Sequence, residues 1–151
     1  MAVKQLLDVI DKRATVEILF KAKRKDNGEW VEGYYQKRYY FLGNEEHLIF
    51  HADSYKVWEY AEIDPETLCQ FTGLCDKKGN RIWENDILMA HLDESYPEDA
   101  TYETVEWGVA GWVTHEANST DREYIDKFDL EHYEVVGNIF DNKELLQEEH
   151  K

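Results

Sequence analysis

Six histidines, two cysteines and 33 acidic side chains are the groups in this 151-residue chain that could do chemistry, and their spacing nominates little of it. Cys69 and Cys75 stand too far apart for the short Cys-x-x-Cys knuckle of a zinc site, and no His pair beside them completes four ligands. In a reducing compartment they read as two thiols rather than a disulfide. His47 and His51 have the i, i+4 spacing that gathers ligands on a helix, but the residues around them read as a strand, where the two rings share a face nearly four rises apart. His91, His115 and His132 would converge only if three separate strands brought them together. Carboxylates are so abundant that no single pair is informative; three His, Asp or Glu side chains meeting in a cleft would be the sign of a hydrolase. There is no Gly-x-Ser-x-Gly elbow, phosphate loop, His-Glu-x-x-His or Cys-x-x-Cys. No catalytic residue, metal ligand or cofactor is therefore expected.

The elements that must position these groups are clearest from Gln70 to Leu88. Asp76-Lys77-Lys78-Gly79-Asn80 is a polar loop with glycine where a tight turn needs positive φ, and Ile82, Trp83, Ile87 and Leu88 resume a strand-like apolar pattern. Glu84-Asn85-Asp86 interrupts that pattern with residues that tolerate left-handed geometry and bond their own backbone, which predicts a second tight turn. An aspartate at such a turn accepts backbone N–H bonds, so Asp86 reads as structural rather than catalytic.

Gln70 to Ile87 resembles the signature of the YopX family of phage and prophage proteins. Thr72, Gly73, Leu74, Asp76, Gly79, Ile82, Glu84, Asp86 and Ile87 fit that pattern, with Phe71 and Trp83 where the family has tyrosines. Asn85 replaces the usual glycine, and asparagine keeps access to the left-handed region at modest steric cost. Residues 21–34 resemble the family's amino-terminal hairpin, and residues 133–142, with Gly137 and Asn138, its closing strand. The resemblance implies a phage or prophage accessory protein and a fold, with no established activity attached, and its signature residues read as structural.

Length suits one domain or two very small ones, and 42% hydrophobic with 14% aromatic residues argues for a folded chain despite a formal charge of −16. Residues 1–60 hold ten acids and ten bases, leaving 23 of the 33 acids and seven of the 17 bases for residues 61–151. A surface of that sign favours basic protein partners and disfavours direct binding to DNA or RNA. Asp93, Glu94, Glu98, Asp99 and Glu103 are the candidate acidic partner surface. The sequence does not identify the partner. No apolar run is long enough to cross a membrane and the start lacks a signal-peptide pattern, so a cytoplasmic location in the host cell is expected. Two readings of function follow, a non-catalytic interaction or assembly module and an acidic mimic of nucleic acid that inhibits a DNA-binding protein, with a hydrolase as a weaker third.

The expected fold is mainly β, α+β overall. Val3, Leu6, Leu7 and Ile10 predict a short amphipathic helix over residues 2–12, which needs a surface to cover, either the chain's own sheet or a second copy in a homo-oligomer, with Trp58 and Tyr60 as candidate partners. Strands are predicted at 15–22 and 28–35, joined by a type I′ turn at Asn27-Gly28, and at 37–41, 46–52 and 55–63. Asp64-Pro65 predicts a boundary between residues 1–64, an amino-terminal helix plus sheet, and residues 65–151. Strands near 68–75, 80–91, 101–107, 111–115 and 133–140 predict an SH3-like five-stranded barrel burying Phe71, Ile82, Ile87, Val105, Val113, Val136 and Ile139. Asp141 and Glu144 read as a capping box opening a carboxy-terminal helix.

Overall fold

Alternation of apolar and polar residues dominates the chain, and strands are what it forms. The computed structural model describes residues 17–91 and 97–147. The predicted helix over 2–12 and the acidic candidates Asp93 and Glu94 lie outside those residues. The protein is mainly β, in two antiparallel sheets, and divides into two compact units at Gly73 and Leu74. Among the described residues no helix is long and apolar enough to cross a membrane.

In the first unit, β1 (Phe20–Lys23), β2 (Trp30–Tyr39), β3 (Glu45–Ala52) and β4 (Trp58–Glu62) pair in sequence order, and β5 (Cys69–Cys75) adds to the free side of β1. Registers Ala22↔Val31 and Ile49↔Ala61 put these four side chains on one face, where they form the core with Ile63. Past β4 the chain returns to the end of β1: Lys25 N–H donates to Glu62 O at 3.0 Å and Asp64 N–H to Lys23 O at 2.9 Å. The β1–β2 connection is not the type I′ turn expected. Arg24 N–H bonds Glu29 O, only Gly28 of the Asn27-Gly28 dipeptide has positive φ, and the Asn27 side chain instead accepts the Glu29 amide at 2.9 Å. Asp64-Pro65 opens a single 3-10 turn, Pro65–Thr67, with Asp64 Oδ1 capping the Glu66 amide, and the chain runs on into β5. The two compact units divide within that strand.

The second unit holds β6 (Arg81–Trp83), β7 (Asp86–Ala90), β8 (Thr101–Trp107), β9 (Trp112–Glu116), β10 (Glu123–Tyr124) and β11 (Tyr133–Asn138). Its sheet order is β10-β9-β8-β7-β11, and the end strands do not pair with each other, so the predicted SH3-like barrel is not closed. Closure fails because β10 is two exposed residues, too short to carry pairing further. Ile82, Leu88, Val105 and Tyr133 make the core, against which Leu74, Trp112 and Ile125 pack. Of the core expected from sequence, Ile82, Ile87, Val105 and Val113 are buried, while Phe71, Val136 and Ile139 are half-buried. A register shift between Val135 and Gly137 leaves Val136 out of the ladder. The carboxy-terminal helix is only a 3-10 turn, Lys143–Leu146, preceded by Asn142, which makes no side-chain cap to it. The Asp141 to Glu144 capping box is replaced by a tighter arrangement in which Asn142 Oδ1 accepts the Asn138 amide at 3.1 Å.

Candidate functional site

The loop between β5 and β6 is built around Asp76. Its Oδ1 accepts the amides of Lys78 at 2.9 Å and Asn80 at 2.8 Å, and its Oδ2 accepts the Asn80 side chain at 3.2 Å and the Val135 amide at 2.9 Å. Gly79, with φ of 83°, supplies the left-handed residue that lets its N–H return to Asp76 O at 3.0 Å. Asp76 is only 6% exposed. Burial alone would raise its pKa, but the hydrogen bonds from Val135, Asn80 and Lys78 outweigh it and hold the carboxyl below the ordinary carboxylate range. Beside it, Lys77 N–H donates to Tyr133 O at 3.1 Å and Lys78 pairs with Glu134 at 2.6 Å.

The second turn of the signature is held the same way. Asp86, 2% exposed, accepts the Trp83 amide on Oδ2 at 2.8 Å, across a turn whose Asn85 has φ of 69°. Asn85 N–H donates to Val105 O at 2.7 Å, and its carbonyl accepts the Ile139 amide at 3.0 Å. Gly137 has no room for a side chain, since a Cβ there would lie 2.4 Å from Asn142 Oδ1. Asn138 Oδ1 accepts the amides of Phe140 and Asp141, both at 2.9 Å. Trp83 is buried, Glu84 and Thr72 are half-buried, Leu74 packs on the second core, and Gly73 has φ of 83° in open space. Residues 70–88 and 133–142 are thus fastened to each other at Asp76 and at Asn85.

A different set of carboxylates faces a hollow of about 370 Å³ in the second unit, lined by Asp99, Glu103, Glu116, Glu123, Asp129 and His132 among others. Glu103 on β8 stands directly opposite Glu116 on β9, and its Oε1 accepts the hydroxyl of buried Thr114 at 2.9 Å. Burial pushes the Glu103 pKa up; the Thr114 bond opposes that, and the charges of Glu116, Glu123 and Asp129 reinforce it. The neighbouring Tyr133 hydroxyl is pushed up to about 12, chiefly by burial. Of the acidic residues singled out in the sequence, Asp99 and Glu103 meet here, whereas Glu98 lines an adjoining hollow of about 660 Å³ with Glu116 and Glu144. Glu116, Glu123 and Asp129 join them without a local sequence motif to mark them. The first of these was legible, because Glu103 and Glu116 are equidistant from the Gly108 to Gly111 turn.

Among the described residues the histidines do not gather. His91 N–H donates to His132 O at 3.3 Å, but His115 lies on the other face of its strand, its Nε2 3.0 Å from Thr104 Oγ1. His47 Nδ1 is bonded to the Tyr35 hydroxyl, and His51 sits opposite Glu59. Cys69 is buried, with its thiol donating to Thr67 O at 3.3 Å, Cys75 is exposed, and neither is in a disulfide. Among the described residues, no three His, Cys, Asp or Glu side chains have a geometry that could hold a metal ion.

The family model described as YopX protein matches residues 19–147. The chain belongs to the YopX family. Among solved structures, the crystal structure of protein EF1440 from Enterococcus faecalis is similar to this YopX-family chain, with a TM-score of 0.56 at 23% identity over 87% of this chain and 99% of that one. At that identity the likeness shows the fold alone. No match is found among curated proteins. Chemically, Asp76 and Asp86 of the family's signature are engaged by backbone amides, and the cleft offers clustered negative charge to whatever approaches it.

Proposed function

We propose that this YopX-family chain is a non-catalytic protein-interaction module, made in the host cytoplasm from a phage or prophage, that takes a basic partner protein against the acidic cleft of its second unit. One contrast carries the reading. Asp76 and Asp86 are committed to backbone amides, whereas Asp99, Glu103, Glu116, Glu123 and Asp129 face one open hollow. Converging carboxylates build a negative potential that a Lys or Arg side chain relieves, and Glu103, held back from ionising by burial and then by its acidic neighbours, gains from that relief. A hydrolase reading draws on the same cleft, since His132 shares it. Among the described residues no hydrogen bond joins a carboxylate to the His132 ring, so that cleft nominates no His–carboxylate pair.

Calorimetric titration of the full chain with a Lys/Arg-rich peptide tests the proposal. Binding should weaken as salt rises and should fall several-fold in Glu116→Lys and Glu123→Lys. Equal affinity for wild type and both variants would sink it. The form of the reading in which the chain imitates nucleic acid is distinguished by displacement of DNA from a basic DNA-binding protein.

A further inference from the structure

Asn27-Gly28, at the tip of the β1–β2 hairpin, is the one place in the chain where an asparagine precedes a glycine. Both residues are exposed. A glycine there leaves its backbone nitrogen unflanked by a Cβ, and a Cβ built on it would meet nothing within 4 Å, so no neighbouring strand or side chain covers the spot. In such a dipeptide the Gly28 nitrogen can attack the Cγ carbonyl of Asn27. The bond from Cγ to the Gly28 nitrogen forms, the Cγ–Nδ2 bond breaks, and ammonia leaves with the proton of the Gly28 amide. Water then opens the resulting cyclic imide at one of its two carbonyls, and the Gly28 nitrogen takes back a proton from that water. Opening at Cγ gives aspartate. Opening at the main-chain carbonyl gives isoaspartate, with an additional carbon in the backbone. Water is consumed and ammonia released, with no change of oxidation state.

The folded turn holds both reacting groups back from that step. The Gly28 nitrogen must shed its proton to attack, and in the turn its N–H donates to Arg24 O at 2.9 Å. The Asn27 side chain is tied at both ends: Oδ1 accepts the Glu29 amide at 2.9 Å, and Nδ2 donates to Glu29 Oε2 at 3.4 Å. Arg24 N–H donates to Glu29 O at 2.9 Å and closes the same loop. The Arg24 guanidinium also clasps Asp26 through two N–H groups, at 2.9 and 2.8 Å. All of these bonds lie within residues 24–29, so a local opening of the tip releases them together while the rest of the sheet stays paired.

We propose that Asn27-Gly28 is a deamidation site gated by the β1–β2 turn, shut while Gly28 N–H is bonded to Arg24 and the Asn27 amide to Glu29, and open when the tip comes undone. The rate in the folded protein then follows the fraction of time the tip is open. Loss of ammonia to solvent makes the change one-way, so the converted fraction records how long a chain has spent with this turn open. The two products differ in consequence. Aspartate at position 27 keeps a side-chain oxygen for the Glu29 amide. Isoaspartate moves the Cγ carbonyl into the main chain, and the additional backbone carbon pushes Glu29 out of register with Arg24. The site lies in the first unit and stands or falls independently of the partner proposed for the acidic cleft.

Ageing the full chain in mildly alkaline buffer, folded and in parallel fully unfolded in urea, reads the outcome. The tryptic peptide Asp26–Lys37 is followed by mass spectrometry for replacement of the amide by a carboxyl, with the aspartate and isoaspartate forms separated by chromatography. The unfolded chain should convert, and the folded chain should convert several-fold more slowly. A synthetic peptide of residues 24–30, aged with and without urea, corrects for any effect of urea on the chemistry itself. Gly28→Ala is measured only in the unfolded chain, where folding plays no part, and should slow conversion several-fold because a Cβ then crowds the attacking nitrogen. After refolding, the isoaspartate fraction should melt below Asn27→Asp. Equal rates in the folded and unfolded chain, or a faster rate in the folded one, would overturn the gate. An unfolded chain that keeps its Asn27 amide, or a Gly28→Ala rate equal to wild type, would overturn the site. Equal melting temperatures for the isoaspartate fraction and Asn27→Asp would overturn the consequence drawn for the hairpin.

Discussion

The Val135 amide donates to Asp76 Oδ2 at 2.9 Å, so one buried carboxylate shapes its own loop and also anchors the first strand turn of the closing segment. Removing it leaves several amides without their acceptor. Asp76→Ala should cost about 2–4 kcal/mol, by the usual penalty for stranding buried hydrogen-bond partners of a charged group. Chemical denaturation read by tryptophan fluorescence checks this, and a loss below about 0.5 kcal/mol would make the anchor ornamental.

The same residue predicts a pH dependence. The folded-state pKa of Asp76 is depressed. Its contribution is therefore complete above the unfolded value, about 3.9, and is lost as pH falls through the lower folded value. Acid unfolding of wild type should be steeper below about pH 4 than that of Asp76→Asn, whose smaller stability has no such component. Parallel acid melts of the two proteins would remove Asp76 from the explanation.

Glu103 runs in the opposite direction. Its folded pKa is raised, chiefly by burial, so stability is lost as pH rises from the unfolded value through the folded one. Glu103→Gln should stabilise the protein at neutral pH by a few tenths to about 1 kcal/mol, the range for relieving a like-charged cross-strand pair, and should do nothing below about pH 4. Thermal melts at both pH values decide it. The variant therefore separates cleft function from fold: a gain in stability with loss of peptide binding is the expected combination.

Gly137→Ala places a methyl group 2.4 Å from Asn142 Oδ1 and should destabilise by about 1–3 kcal/mol. Adding Asn142→Gly makes room but also deletes the acceptor of the Asn138 amide, so the double variant should recover only part of the loss. Full recovery in a double-mutant cycle would show that Asn142 contributes nothing beyond its bulk.

Local chemistry was readable wherever a residue type dictates its own backbone. Gly79, Asn85 and Asp86 announced two turns, and both formed, because left-handed φ and side-chain-to-backbone bonds are properties of single residues. The mainly β character followed from alternation in the same way. Long-range pairing was not readable. That β5 adds to β1 at Phe20↔Gln70 depends on two segments with no mark of each other in the sequence, whereas the proline signal at Asp64-Pro65 is strong but local. Barrel closure likewise turns on β10, which is too short to leave a periodic pattern. The acidic cleft was half visible: charge excess pointed to the later part of the chain, but only the β8–β9 register puts Glu103 beside Glu116.

The remaining prediction is that the chain does not bind DNA or RNA directly at physiological salt. Nucleic-acid affinity draws heavily on phosphate neutralisation by Lys and Arg, and residues 61–151 carry seven of these among 23 acids. The one basic cluster, residues 21–25, is already occupied. Lys21 and Lys23 lie over the Trp30 ring, 4.7 and 5.5 Å from its centroid, Arg24 is paired with Asp26 at 2.8 Å, and Lys25 with Glu62 at 3.0 Å. A phosphate would have to displace these partners for each contact it gained. Gel-shift titration with duplex and single-stranded DNA should therefore show free probe at all protein concentrations. A shift that disappears with added salt, and disappears also in Lys21→Glu/Lys23→Glu, would establish the opposite and would make the Trp30 face of the first sheet a nucleic-acid surface.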